Sequence, residues 1–90
     1  MSQSRSVLSV SEVTAQIKEQ IESQFQSIWI QGEISNFKHH SSGHMYFTVK
    51  DDSAELRCVM FRGYNQMTHF KPENGMEVLL HGKITVYEPR

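Results

Sequence analysis

Residues 45–60 have the sequence MYFTVKDDSAELRCVM, in which two alternating segments flank a short polar connection. Apolar side chains occupy every second position of both segments: Met45, Phe47 and Val49, then Leu56, Cys58 and Met60. A period of two is typical of strands that bury one face, and Asp51-Asp52-Ser53-Ala54 has the composition of a tight turn. The stretch therefore predicts a β-hairpin whose apolar row fills the core.

An earlier strand is predicted upstream of this hairpin. Ile28, Ile30 and Ile34 share one side of it, and Gly32 interrupts their row where a bulge or a sharp bend is expected. The polar stretch from Asn36 to His44 then predicts a loop, with its turn at Ser41-Ser42-Gly43.

A fourth strand is predicted downstream of the hairpin. The alternation is lost from Arg62 to Phe70, which indicates a short helix or an irregular crossover, and Lys71 to Gly75 form a turn. One long strand follows, bent at Gly82 and ended by Pro89. Its inward row is Val78, Leu80, Ile84 and Val86.

The N-terminal part predicts a helix from about Val10 to Gln24. Ser9 and Glu12 have the spacing of a capping box, in which each side chain accepts a hydrogen bond from the other residue's backbone N–H. Apolar residues then recur at steps of three and four: Val10, Val13, Ile17 and Ile21. We expect this stripe to be buried against the sheet. Residues 1–8 are expected to be flexible.

These elements predict a mainly β domain with an N-terminal helix over residues 9–90. Strands bent at glycines, with a helix between the third and the fourth, are typical of a Greek-key barrel of the OB type. Such a barrel has five strands, and the sequence indicates four. Unless the long strand splits into two at Gly82, we expect an incomplete barrel that lacks its final strand. Its open edge could pair with another chain, by dimerisation or strand exchange.

Composition excludes several classes of protein. Ninety residues accommodate one domain, and 9 Lys and Arg against 10 Asp and Glu argue against a strongly basic DNA-coating protein. The single cysteine, Cys58, excludes an internal disulfide framework and fits a reducing compartment. No apolar run approaches the ~20 residues of a membrane span. We therefore predict a cytoplasmic domain without membrane partners.

The outward face of the hairpin carries the strongest functional pattern. The row opposite the apolar one contains two aromatic and two cationic side chains among its six residues: Tyr46, Thr48, Lys50, Arg57, Val59 and Phe61. The flanking loop and crossover add Lys38, His39, His40, His44, Arg62 and Tyr64. Single-stranded nucleic acid binds such surfaces because bases stack on flat rings while Lys and Arg bind phosphates. The residues alone leave a second interpretation open, in which Tyr46 and Phe61 are cross-strand partners and the cations keep the sheet soluble.

Other chemistry has weaker support. Five histidines raise the alternative of a metal site: His39, His40 and His44 in the loop, with His69 or His81 as a further ligand. Structural zinc sites usually take paired ligands from two places, and this chain offers one such place. Cys58 fits a buried apolar residue better than a nucleophile, and the glycines are too dispersed for a phosphate-binding loop. We predict no catalytic apparatus and no cofactor in this chain.

Four stretches resemble the large subunit of bacterial exodeoxyribonuclease VII. They are WIQGEISNF at 29–37, SGHMYFTVKD at 42–51, RCVMFR at 57–62 and GKITVYEPR at 82–90. Each stretch is short, but all four occur in order and at the family's spacing. The resemblance extends from Val10 to Arg90.

This resemblance implies an OB-fold domain that binds single-stranded DNA and presents it to a downstream nuclease domain absent from this chain. It implies that the chain is a fragment, and that the parent is a single-strand-specific exodeoxyribonuclease with several copies of a small subunit as partners. The positions that match the family's motifs are Tyr46, Arg57, Phe61 and Arg62. The alternative role is a protein-interaction module that docks on the rest of the exonuclease complex.

Overall fold

The computed structural model of the chain describes residues 7–65 and 70–87. Its elements are α1 (Val10–Gln24), β1 (Ile28–His39), β2 (Met45–Lys50), β3 (Glu55–Met60), the one-turn helix α2 (Arg62–Asn65) and β4 (Glu77–Gly82). The predicted mainly β fold with an N-terminal helix is confirmed. The predictions for residues 1–6, for the crossover at 66–69 and for Pro89 lie outside the described residues.

The described elements form two compact units. One contains the described residues up to Trp29 together with those from His81 onward, and the other is Ile30–Leu80. None of the helices within residues 7–65 and 70–87 is long and apolar enough to cross a membrane.

Helix α1 begins at the predicted capping box. The Ser9 hydroxyl accepts the Glu12 N–H at 3.0 Å, and the Glu12 carboxylate accepts the Ser9 N–H at 2.8 Å. The Ser9 N–H also holds the pKa of the Glu12 carboxyl below its ordinary value. The helix ends where the Phe25 N–H donates to the Ile21 carbonyl at 2.9 Å. Both predicted ends of the helix are confirmed because capping is a local interaction.

The apolar stripe of α1 is not buried as expected. Val10, Val13 and Ile17 are 39–81% exposed, Ile21 is half-buried, and no residue of the helix is buried. The expectation that this stripe enters the core is therefore wrong. Residue spacing identifies an amphipathic helix, but it carries no information about what covers the apolar side.

The second unit contains most of the β-sheet, apart from the first residues of β1 and the last of β4, and the strand order is β3-β2-β1-β4. Strand β2 pairs antiparallel with β1 and with β3, which confirms the predicted hairpin. At the other side of β1, the Ile34 N–H donates to the Met76 carbonyl and the Gly75 N–H donates to the Ile34 carbonyl, both at 2.8 Å. Within the described residues the sheet has four strands, as predicted, and β3 and β4 form its edges.

The core of this unit lies on one face of the sheet. Ile34, Phe47 and Val78 form its centre, and Met45 and Val49 are also buried, as the alternation in β2 predicts. Leu56 is exposed, so the inward row predicted for β3 is wrong at this position: Leu56 belongs to an edge strand, where cover is incomplete. Thr48 is buried although the alternation places it on the outward row.

Strand β1 is longer than predicted. It extends to His39, so the loop runs only from His40 to His44 rather than from Asn36. We expected the bulge or bend of this strand at Gly32. The irregularity in the pairing of β1 with β2 lies farther along the strand, between Ser35 and Lys38. At Gly32 the strands approach so closely that a Cβ atom would lie 2.7 Å from the Val49 side chain.

The last strand is shorter than predicted. Strand β4 ends at Gly82, and residues 83–87 form no strand, so the continuous strand predicted through Val86 is wrong. Ile84 and Val86 are nevertheless half-buried. In the first unit the Ile84 N–H donates to the Phe25 carbonyl at 3.0 Å, which gives its backbone a partner outside a strand.

Candidate nucleic-acid interface

The bulge in β1 brings a lysine next to an exposed tyrosine. Ser35 pairs with Thr48 but Lys38 pairs with Tyr46, so β1 has one residue more than β2 between the two pairs. Asn36 lies in this bulge and has a φ of +53°, a backbone conformation that Asn tolerates better than most residues. Strict alternation would turn Lys38 toward the core. The bulge instead places it beside Tyr46 on the outer face, the side of the sheet opposite the core.

Two contacts hold the bulge from the core side and from the neighbouring turn. The Phe37 N–H donates to the Asn74 Oδ1 at 2.9 Å, so a backbone group of the bulge has a partner. The Phe37 ring lies 6.4 Å from the Phe47 ring and packs against the core cluster. The position of Lys38 is therefore set by the fold rather than by the loop that follows it.

The loop from His40 to His44 is closed by its own hydrogen bonds. The His40 N–H donates to the His44 carbonyl, and the Gly43 N–H donates to the His40 carbonyl, both at 2.9 Å. The His40 Nδ1 accepts the Ser42 N–H at 3.0 Å. The His40 ring meets the Tyr46 ring edge to face, with 6.1 Å between centroids and 84° between planes.

The second exposed ring, Phe61, lies against the same loop. The rings of His44 and Phe61 meet edge to face, with their centroids 5.3 Å apart. The His44 Nδ1 accepts the backbone N–H of Arg62 at 3.0 Å, so the neutral imidazole carries its proton on Nε2. Gly43 has a φ of +94°, and a Cβ there would lie 2.6 Å from the Arg62 Cδ. The stem of Arg62 therefore packs directly on the loop backbone.

These contacts gather six side chains at one end of the outer face, which we call the aromatic end. They are Lys38, His40, His44, Tyr46, Phe61 and Arg62. Five of the eight predicted site residues belong to this group. Its two largest rings, Tyr46 and Phe61, are exposed, as are its two cations. The arrangement can stack flat ligands and bind anions side by side.

Lys50 lies at the opposite end of the same face, which we call the acidic end. Its cross-strand partners are both glutamates, one on β1 and one on β3. The acidic end comprises Lys50 and five carboxylates: Glu33, Asp51, Asp52, Glu55 and Glu77. The surplus of negative charge repels phosphates, so the structure separates Lys50 from the cations with which the sequence grouped it.

Asp51 in the acidic end is stabilised by the turn that contains it. Its Oδ1 accepts the backbone N–H groups of Ser53 and Ala54 at 2.9 and 3.0 Å. These bonds hold the pKa of the Asp51 carboxyl below its ordinary value. The carboxylate is therefore a structural part of the turn between β2 and β3.

The remaining two predicted residues, Arg57 and Tyr64, lie outside both ends. Arg57 is exposed in the middle of the outer face, paired with the buried Thr48. Tyr64 is exposed on α2, and its backbone N–H donates to the Phe61 carbonyl at 2.9 Å. The structure thus places Arg57 on the outer face between the two ends, and Tyr64 on the helix that follows Phe61.

The half-buried cysteine fits the apolar role expected of it. Cys58 packs against the core cluster, and burial raises the pKa of its thiol more than a backbone hydrogen bond from Val49 lowers it. Within residues 7–65 and 70–87, no group of three or more His, Cys, Asp or Glu side chains is placed to hold a metal ion. His69, one of the candidate ligands, lies outside these residues.

Sequence reasoning missed the roles of Asn36 and Asn74. Both were assigned to loops or turns, yet one forms the bulge and the other accepts the Phe37 N–H beside it. An asparagine within a strand-like segment is a usable signal, because Asn adopts a positive φ at lower cost than most residues. The role of Asn74, which accepts the Phe37 N–H, has no comparable signal in the sequence.

Comparison with known proteins gives two findings. A family model described as an OB-fold nucleic acid binding domain matches residues 8–90. The chain is also similar to proteins named exodeoxyribonuclease 7 large subunit: it is 56% identical to that of Halalkalibacterium halodurans over 85 residues, which cover 92% of this chain and 19% of the relative. For Shouchella clausii the identity is 56% over 82 residues, which cover 89% of this chain and 18% of the relative. For Bacillus cereus it is 58% over 83 residues, which cover 90% and 18%.

The chain thus spans about a fifth of the length of the curated relatives it matches. The family model, in contrast, covers all but the first seven residues. Its description agrees with the mainly β fold, the four-stranded sheet and the exposed rings beside cations. The chain belongs to the family of OB-fold nucleic-acid-binding domains.

Proposed function

We propose that this domain binds single-stranded DNA at its aromatic end and, in its parent protein, presents the strand to a nuclease domain. One observation carries the proposal: two exposed rings, Tyr46 and Phe61, each meet a histidine edge-on and each have a cation nearby. Rings without cations, or cations without rings, would bind a single strand less tightly, because stacking and phosphate contacts act together.

The rings supply the sequence-tolerant part of the binding. A base stacked on an aromatic side chain contributes ~1–3 kcal/mol, and every base has a face that can stack. Edge-to-face contacts with His40 and His44 restrict the two rings before DNA arrives. Restricting them beforehand lowers the entropy lost on binding.

The cations supply the electrostatic part of the binding, and their positions favour one path for the DNA strand. Lys38 and Arg62 flank the rings, and Arg57 continues the positive charge toward the middle of the face. Beyond Arg57 the acidic end repels phosphates. The charge distribution therefore favours a short path that includes the aromatic end and stops before Lys50.

Fluorescence anisotropy with labelled oligo-dT at several salt concentrations tests the proposal. Each phosphate contact on a single strand contributes about −0.7 to the slope of log K against log salt, so three cations predict a slope of about −2. Duplex DNA of the same length should bind more weakly, because its bases cannot stack on the rings. Affinity for oligo-dT that is independent of salt would contradict the proposal.

A matched pair of variants separates stacking from general surface effects. Phe61 and Phe70 are 52% and 53% exposed, but within the described residues only Phe61 contacts another ring. Phe61→Ala should lower the binding free energy by ~1–3 kcal/mol, and Phe70→Ala should leave it unchanged. Equal losses in both variants would show that the aromatic end has no special role.

The relatives suggest the setting of this domain. They are named as large subunits of an exodeoxyribonuclease, and this chain matches about a fifth of each. We propose that the parent protein is such a single-strand exonuclease in the cytoplasm, and that small exonuclease subunits are its partners. The edge strands β3 and β4 are where a dimer or a strand exchange would form. Sedimentation of the chain over a range of concentrations tests dimerisation.

The alternative, a module that binds only other parts of the exonuclease complex, predicts the opposite outcome. Such a domain would leave oligo-dT unbound at every salt concentration while still binding the nuclease domain. The same anisotropy titration therefore distinguishes the two functions.

A further inference from the structure

The first unit contains a stacked pair of rings that the proposed function does not use. The rings of Trp29 and His81 have centroids 4.5 Å apart and planes inclined by 19°. Trp29 is nevertheless 66% exposed. An exposed tryptophan on a protein surface is unremarkable alone, but here its orientation is fixed by a second ring.

The histidine in this pair is itself held in place. The Ser27 Oγ lies 2.7 Å from the His81 Nε2, within hydrogen-bonding distance. The backbone bond from the Ile84 N–H to the Phe25 carbonyl joins the flanking segments. His81 is thus fixed by Ser27 on its edge and by Trp29 on its face, so the indole rests on an ordered support.

We propose that Trp29, supported by His81, is a second base-stacking position for single-stranded DNA. The inference rests on the proposed function and extends it to a residue outside the aromatic end. The imidazole covers one part of the indole, and the exposed remainder offers a flat surface onto which a base can extend the stack. Stacking of this kind tolerates any base, because every base has a π-face.

The geometry favours a nucleobase over a protein side chain as the occupant. A flat ring in a fixed orientation matches a flat ligand, and the family to which the chain belongs binds nucleic acid. The stack also requires no rearrangement before binding, because His81 already holds the indole. A protein partner remains an outcome that the experiment can reveal.

Trp29 is the only tryptophan in the chain, so its intrinsic fluorescence reports on this position alone. Unlabelled oligo-dT should quench the fluorescence, and the quenching should follow the saturation measured by anisotropy. Heparin is the control, because it is a polyanion without bases and should bind without comparable quenching. Equal quenching by heparin, or no quenching by oligo-dT that binds, would overturn the inference.

Variants of Trp29 provide a second measurement. Trp29→Leu keeps apolar bulk but no ring, and should weaken oligo-dT binding about 5- to 150-fold, the range for one stacked base. Trp29→Phe keeps an aromatic ring and should retain most of the affinity of the unaltered chain. The matched control is Tyr87→Leu, since Tyr87 is exposed and no ring stacks on it within the described residues. This control should bind normally.

The outcomes separate the two proposals. If oligo-dT binds the unaltered chain but neither quenches Trp29 nor is weakened by Trp29→Leu, the second position is wrong while the proposed function stands. If oligo-dT does not bind at low salt by anisotropy, both proposals fail. Should Trp29→Leu lose its fold by circular dichroism, the quenching of the unaltered chain still decides the question.

Discussion

The aromatic end and the acidic end occupy the same face of one sheet, yet they carry opposite charge. The aromatic end has two cations, Lys38 and Arg62, whereas the acidic end has five carboxylates around Lys50. A formal net charge of −1 for the whole chain conceals this separation. Binding of an anion by this domain therefore depends on where its few cations lie, since their number is ordinary.

The two ends also differ in how their side chains are held. At the aromatic end, ring contacts and the His44–Arg62 hydrogen bond connect the loop to the residues after β3. At the acidic end, the turn between β2 and β3 supplies N–H groups to Asp51. The aromatic end is therefore sensitive to changes in the loop, whereas in the acidic end the hydrogen bonds to Asp51 are sensitive to protonation of that carboxylate.

The largest expected effect that separates the two ends comes from Gly43→Ala. A residue with a side chain at a φ of +94° costs about 1–2 kcal/mol of stability. Its Cβ would also lie 2.6 Å from the Arg62 Cδ and displace that side chain. We expect lower stability in urea denaturation and weaker binding of oligo-dT by anisotropy.

Gly75→Ala is the control for this change. Gly75 has a φ of +90°, but in the described part of the chain no atom beyond its two chain neighbours lies within 4 Å of a Cβ built there. It should lose a similar amount of stability and keep its affinity for DNA. If both variants lose affinity equally, the contact between Gly43 and Arg62 has no part in binding.

A smaller effect is expected from removing one lysine at each end. Lys38→Gln should weaken binding of oligo-dT and reduce the salt slope by about 0.7, the value for one phosphate contact on a single strand. Lys50→Gln should change neither quantity, because Glu33 and Glu55 flank Lys50. Titrations of both variants at several salt concentrations measure the difference. A larger loss for Lys50→Gln would mean that the DNA path crosses the acidic end.

Local patterns in the sequence predicted the elements on which both ends are built. The hairpin followed from alternation around Asp51-Asp52-Ser53-Ala54, and α1 followed from the Ser9 and Glu12 spacing. Both depend on residues a few positions apart, so the sequence contains the complete interaction. The grouping of Tyr46 and Phe61 with nearby cations also followed, because β2 and β3 are joined directly.

What the sequence could not predict depends on pairing between distant segments. The acidic end adds Glu33 of β1 and Glu77 of β4 to the hairpin residues around Lys50, and only the pairing of distant strands brings these two glutamates there. The bulge at Asn36 shifts that register by one residue and so decides the side on which Lys38 lies. The exposed stripe of α1 is a similar case, because amphipathic spacing does not specify a partner.

The smallest expected effect concerns Asp51 in the acidic end. The Ser53 and Ala54 N–H groups lower its pKa in the folded chain, so its contribution to stability is present above the ordinary aspartate pKa of about 3.9 and is lost as pH falls through the folded value. Asp51→Asn can accept the same hydrogen bonds but has no charge to lose.

The stability of the unaltered chain relative to Asp51→Asn should therefore decrease as the pH falls from about 6 to about 2, whichever of the two is more stable at neutral pH. Urea denaturation of both proteins across this range measures the difference. A constant difference would mean that the turn does not favour the charged form of Asp51.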